Sequence, residues 1–297
     1  MRIRNKGIAV AAGLVLGLGV LSACGDAGSD DEGRDVEAKS DCEDKFEAGS
    51  KMEELSKAGK ITVGVKYDQP GLGYKDAAAE RPTGFDIEVA KILVADLCID
   101  PASDNVTWEE TISDNREPFL QEGRVDLVLA SYSITDDRRK LVGQTGPYMV
   151  TGQQILVAED SKITGIDDLK GKKVCSVRGS TSLKNVEAAG AIGVPADAYG
   201  ACAEDVINGT VEAMSTDGSI LMGLAAQHEG ELKVVGDEFS EENIGVGYSK
   251  KSPEMCQWIN DTLTTAFEDG SWADAFELTL GKSGSETPEP PKLDDCA

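Results

Sequence analysis

The residues best suited to chemistry gather where short apolar runs stop. In RVDLVLASYSITDDR, residues 124–138, Val125 and Leu127 through Ala130 are followed at once by Ser131, Ser133 and Thr135, and then by Arg138. Arginine is a planar fork that can grip a carboxylate through two parallel N–H donors. In VEAMSTD, residues 211–217, a second run ends in Thr216 and Asp217, an anion suited to an ammonium group. Gly179-Ser180-Thr181, after KKVCSV, offers hydroxyls and free backbone N–H groups at a helix start, an arrangement that takes anions. Lys66 in GVKYDQPG, Arg116 in NREPF and Arg178 beside the Gly-Ser-Thr turn are further cations. Each feature also has a plainer explanation. Thr135, Ser180 and Asp217 are good N-caps, Arg138 is placed to pair with Asp136 or Asp137, and Lys66 and Arg116 with Asp68 and Glu117.

The elements that carry these residues read as an α/β chain. Leu127–Ala130 is apolar on both faces, the pattern of a parallel strand inside a covered sheet, and ligands bind outside the carboxyl ends of such strands. A helix is expected from Phe46 to Lys57, then the strand ITVGV and a Gly/Pro-rich loop. RPTGFDIEVAKILVADL is an amphipathic helix with Ile87, Ala90, Val94 and Leu97 on one face. TGPYMVTGQQILV, residues 145–157, runs extended and reads as a crossover between two lobes; Lys173 to Val177 form a strand in the second. IGVGYSKKS, residues 244–252, reads as the return crossover. The stretch from Pro253 to Leu280 is helical, and its stripe of Trp258, Ile259, Leu263, Phe267, Trp272 and Phe276 packs back on the first lobe. The Pro-rich tail cannot be helical and is expected to be pinned by Cys296.

Composition narrows the function. The chain has 297 residues and 54 acids against 29 bases, with no basic patch beyond the first six residues, which excludes nucleic acid as a partner. Its single histidine, His228, leaves no means for a His-based triad or a zinc cage, and no phosphate loop, dinucleotide fingerprint or other cofactor motif is present. Arg2, Arg4 and Lys6, the apolar stretch Gly7–Val20 and Leu21-Ser22-Ala23-Cys24 form a leader that resembles the bacterial lipobox. The resemblance implies cleavage before Cys24 and a lipid on its sulfur, anchoring the chain at the outer face of the cell membrane. Removing residues 1–23 removes three bases and no acids, taking the net charge from −25 to −28. Six cysteines remain, an even number in an exported chain, and they read as three disulfides with 15 possible connectivities. Local pairs that stay within a lobe are expected: Cys42–Cys98, Cys175–Cys202 and Cys256–Cys296. The middle bridge would stabilise by roughly 3 kcal/mol.

Gly84-Phe85-Asp86-Ile87-Glu88-Val89, with Leu93, Val94 and Leu97 beyond, resembles the signature of the family 3 extracellular solute-binding proteins. These are amino-acid receptors of ABC importers, built as two α/β lobes around a cleft. VDLVLASYSITDDR matches the same family in order and spacing, and the family arginine that grips the ligand α-carboxylate falls on Arg138, helped by Ser131 and Ser133. The family also has a Gly-Ser-Thr turn where Ser180 and Thr181 stand, and an ammonium-binding aspartate where Asp217 stands. Thr216 and Phe85 complete the candidate contacts. Lys66 and Arg116 lie where acidic-amino-acid receptors of the family hold a side-chain carboxylate.

The resemblance thus implies a type II, two-lobed periplasmic-binding-protein-like fold with two crossovers and a ligand cleft. It implies a monomeric lipoprotein, not an enzyme, that takes glutamate before aspartate by cleft closure and hands it to ABC permease subunits. A receptor for another polar amino acid such as glutamine, or a cyclohexadienyl dehydratase-like enzyme, is the alternative. The enzyme would need a general acid or base such as Glu109, Glu110 or Asp68 in the cleft. The expected divisions are a signal peptide at 1–23, a disordered tether at 24–44 and lobe 1 at 45–149. Lobe 2 follows at 150–246, the return segment of lobe 1 at 247–282 and a tail at 283–297.

Overall fold

The computed structural model describes residues 33–296. The leader, Cys24 and the first part of the expected tether lie outside the described residues. Helix α1 (Lys51–Ala58) starts at Ser50, whose hydroxyl caps the Glu53 amide, and stops at Gly59 in the left-handed region. Phe46 therefore precedes the helix. The first lobe continues with β1 (Ile61–Val65), the short pair β2 (Asp68–Gln69) and β3 (Gly73–Tyr74), α2 (Phe85–Asp96) and β4 (Val106–Glu110). After these come α3 (Arg116–Glu122), β5 (Leu127–Leu129), α4 (Asp136–Leu141) and β6 (Gly143–Thr151). The second lobe holds β7 (Gln153–Ala158), β8 (Lys173–Val177), α5 (Thr181–Ala188), β9 (Ile192–Ala196) and α6 (Tyr199–Ile207). It ends with β10 (Ala213–Asp217), α7 (Gly218–Gln227) and β11 (Leu232–Val235), before β12 (Glu242–Tyr248), α8 (Met255–Asp269) and α9 (Ser271–Leu278) return to the first.

Each lobe is built on a five-stranded sheet, ordered β4-β1-β5-β12-β6 in the first and β11-β7-β10-β8-β9 in the second. β1 lies parallel to β4 and β5, so the three turns after these strands open on one edge. β8 lies parallel to β9 and β10 in the same way. The chain passes between sheets at Gly152 and returns between Val235 and Glu242. Residues 242–246, assigned from sequence to the second lobe, therefore belong to the first sheet, where Glu242 pairs with Thr151 and Ile244 with Met149. The apolar run IGVGY is a strand paired on both sides, which gives its backbone more hydrogen bonds than a hinge would.

Aromatic rings close the first lobe's core. Phe85 packs against Tyr148, Trp272 and Phe276 at centroid distances of 6.0, 5.9 and 5.5 Å, and the Trp272 indole donates to the Tyr148 carbonyl at 2.8 Å. Three disulfides join Cys42 to Cys98, Cys175 to Cys202 and Cys256 to Cys296. The tail runs without helix to Cys296, and the Asp294 amide donates to the Gly146 carbonyl at 2.6 Å. Residues 33–44 depart from the expected free tether. They form no helix or strand, yet the Lys39 amide donates to the Ala95 carbonyl at 2.9 Å, and Lys39 and Lys45 pair with Asp96 at 2.6 and 2.9 Å. Lys39, Lys45 just after the arm, and the Cys42–Cys98 bridge hold it against the C-terminal end of α2.

Candidate ligand-binding site

The turn after β5 forms the first wall of the cleft. Ser131 has φ 46°, the left-handed region, and is held there because its amide donates to Asp86 Oδ2 at 2.9 Å while its hydroxyl donates to Gln69 Oε1. Thr135 then caps α4 by accepting from the Arg138 amide at 3.2 Å. Arg138 is buried and pairs with neither Asp136 nor Asp137; Lys140 takes Asp137 instead, at 2.8 Å. Its guanidinium donates to the carbonyls of Ser133 at 2.6 Å and Gly179 at 3.0 Å, and its Nε faces Glu117 at 3.3 Å.

Arg116, at the start of α3, stands beside it. Both guanidinium groups lie over the ring of Tyr132, 4.5 and 5.0 Å from its centroid. Arg116 is 2% exposed and donates only to backbone carbonyls: Ser113 at 3.2 Å, Ala130 at 3.1 Å, Ser131 at 3.2 Å and Gly179 at 3.4 Å. Among the described residues no carboxylate pairs with it. Burial, and next the neighbouring Arg138, bring its pKa down to about 10. Lys66 lies behind this wall at the end of β1, buried, with its ammonium on the Ser113 hydroxyl at 2.9 Å. Burial first, and Arg116 second, lower its pKa to about 7.

The facing wall comes from the second lobe. Ser180 caps α5 by accepting from the Leu183 amide at 3.0 Å, and the Thr181 hydroxyl donates to Glu242 at 3.1 Å. Gly179 precedes them with φ 75°, and a Cβ there would come within 2.3 Å of Asp114 on the first lobe, so the close approach of the walls needs glycine. Asp217 ends β10 at the N-cap position of α7, but its side chain makes no cap hydrogen bond. Burial pushes its carboxyl up to about 7, helped by Glu242, while Arg116 and Arg138 pull the other way.

Of the residues singled out in the sequence, Arg116, Arg138, Ser131, Ser133, Ser180, Thr181 and Asp217 line one cavity. Thr216 sits behind it, accepting from the Ser182 hydroxyl at 3.3 Å. Phe85 is fully buried in the aromatic cluster and does not reach the cleft, because the first turn of α2 directs it into the core. Arg178 is half exposed and faces Asp197 at 3.5 Å and Asp114 at 3.7 Å. The carboxylates considered as acid or base lie elsewhere: Glu109 pairs with Arg124, Glu110 is exposed, and Asp68 accepts from the Tyr199 amide at 2.6 Å. Gln69, Ser113, Ser182, Tyr199 and Ile220 also line the cavity and had not been picked out. Ser113, Gln69, Ser182 and Ile220 lie within three residues of Arg116, Lys66, Thr181 and Asp217, whereas Tyr199 had no such neighbour. Among the described residues no cluster could hold a metal ion, and no helix is long and apolar enough to cross a membrane.

Two lobes on five-stranded sheets, joined by two crossovers and sharing a polar cleft, define a type II solute-binding fold. The model of the bacterial extracellular solute-binding proteins, family 3, matches residues 61–281, and the chain belongs to this family. The glutamate-binding protein GluB of Corynebacterium efficiens is 35% identical over 292 residues, covering 95% of this chain and 92% of that protein. The glutamine-binding protein of Geobacillus stearothermophilus is 33% identical over 214 residues, covering 71% and 80%. A solved structure of an ancestral arginine-binding protein bound to glutamine is similar with a TM-score of 0.69 at 32% identity, covering 75% of this chain and 98% of that one.

Proposed function

We propose that the chain captures a free acidic amino acid, glutamate before aspartate, and hands it to an ABC permease. Arg138, with Ser131 and Ser133, takes the α-carboxylate, and Asp217 takes the ammonium from the opposite lobe. Burying either charge of a zwitterion unpaired costs several kcal/mol, so the cleft needs a fixed cation and a fixed anion. The observation that carries the acidic preference is Arg116, buried at the cleft with only neutral carbonyls for partners. A side-chain carboxylate supplies the charged acceptor it lacks, and its negative charge would favour protonation of Lys66 behind Ser113. Ser180 and Thr181 close on the ligand from α5.

Transport is favoured over catalysis. The cavity is lined by one carboxylate, Asp217, which the ammonium occupies, and Glu109, Glu110 and Asp68 lie outside it. The leader supports placement at the outer face of the membrane through a lipid on Cys24.

Calorimetry with glutamate, aspartate, glutamine and asparagine tests the reading. Glutamate is expected to bind more tightly than glutamine by about 2 kcal/mol, because an amide offers arginine no charged acceptor. Arg116→Ala should erase that preference and leave weak binding of both; equal or tighter binding of glutamine by the unaltered protein overturns the assignment.

A further inference from the structure

Gln69 ends β2 at the cleft and is fully buried. Its Oε1 accepts from the Ser131 hydroxyl, whereas its Nε2 is buried with no hydrogen-bond partner. A side-chain N–H taken out of water without an acceptor is disfavoured, and such groups in folded proteins call for an explanation.

The amide is not free to turn over. Asp86 holds the Ser131 amide at 2.9 Å, and its other oxygen accepts from the Tyr148 hydroxyl at 2.7 Å, which fixes Ser131 against the aromatic core. With the amide reversed, Nε2 would donate to the Ser131 hydroxyl oxygen, but that hydroxyl's own proton would have only Asp86 Oδ2 as acceptor, at 3.5 Å, a poor hydrogen bond, and Oε1 would be left buried without a donor. Oε1 therefore stays on Ser131, and Nε2 keeps its unused N–H. The same Ser131 offers its carbonyl to Arg116 at 3.2 Å. Gln69 and Arg116 are thus tied to two groups of one residue, and both line the cavity.

We infer that Gln69 is a specificity-determining residue whose side-chain N–H donates to the terminal oxygen of the bound amino acid's side chain, beside Arg116. This deepens the assignment to an amino acid with a polar side-chain end and rests on it. Arg116 supplies the preference for charge. Gln69 supplies a neutral donor that any terminal oxygen satisfies and an alkyl end does not.

The test is calorimetry of glutamate, glutamine and norvaline, which has glutamate's chain length without terminal oxygens, on the unaltered protein and two variants. Gln69→Leu should weaken glutamate about tenfold and leave norvaline within about twofold. Gln69→Glu keeps the size and the acceptor for Ser131 but sets a carboxylate against the ligand's, so glutamate should weaken about a hundredfold and glutamine by less than tenfold. Equal losses for glutamate and norvaline in Gln69→Leu overturn the inference. Undiminished glutamate binding by Gln69→Glu overturns it too, and decides the matter if the leucine variant does not fold. Should the unaltered protein prefer glutamine, the acidic reading fails, and Gln69 is judged on glutamine against norvaline in the same variants.

Discussion

At Asp217 a buried carboxyl stands at the head of α7 without capping it, its pKa raised to about 7 by burial and by Glu242. The folded chain therefore keeps a proton that the unfolded chain gives up near 3.8, so this group's contribution to stability falls as pH rises between about 4 and 7. A ligand ammonium requires the ionised form. Affinity should weaken about tenfold for each pH unit below 7, and binding at pH 6 should release close to one proton. Calorimetry in two buffers of different ionisation enthalpy measures that release; none at pH 6 would remove Asp217 from the ammonium. At this scale the sequence was most informative where a charged residue ended an apolar strand. Asp217 was legible because it ends an apolar strand, and Arg138, in α4, because the hydroxyl-rich loop after β5 and the family resemblance marked it. Gln69 and Tyr199 were not: one ends a two-residue strand and the other begins a helix, and neither carries a pattern that marks a cleft.

Among the elements, the second lobe relies on a covalent tie inside its core. Cys175 in β8 and Cys202 in α6 are both fully buried, and their bridge closes a loop of separation 27. On the chain-entropy model, Cys175→Ala with Cys202→Ala should cost on the order of 3 to 4 kcal/mol, read as a lowered urea midpoint. A change below about 1 kcal/mol would show that packing around β8 carries the lobe unaided. Strands such as β5 and β8 were legible from their apolar runs; α2 was legible as a helix, but it is buried nearly all round and not on one face alone, and its start at Gly84 has no side-chain cap. The arm at 33–44 was misread because its acids suggested disorder, while Lys39, the following Lys45 and the Cys42–Cys98 bridge hold it at the end of α2. IGVGY was misread because an apolar run between two lobes looks alike as a hinge or as a central strand. Its pairing with β6 and β5 decides the matter.

For the whole molecule, the lobes touch where closure would join them. The Gly179 carbonyl accepts from Arg138 and Arg116, and a ligand carboxylate would replace this neutral acceptor with a charged one. A second contact lies at α6, which starts after Ala198 and has no side-chain cap of its own. Asp68 of the first lobe accepts from the Tyr199 amide at 2.6 Å, so one lobe caps a helix of the other. A carboxylate at a helix N-terminus also meets the positive end of its dipole, and a cap of this kind contributes about 1 kcal/mol. That contribution exists only while the lobes are together. Asp68→Ala should therefore weaken ligand binding about fivefold, mainly by faster dissociation, and lower the melting temperature of the ligand-free protein by less than that of the ligand-bound protein. Ligand at a hundredfold excess over Kd should still stabilise the variant by about 2.7 kcal/mol and reduce its radius of gyration in small-angle scattering. Unchanged affinity with a lowered melting temperature would mean that Asp68 supports the free fold and has no part in closure.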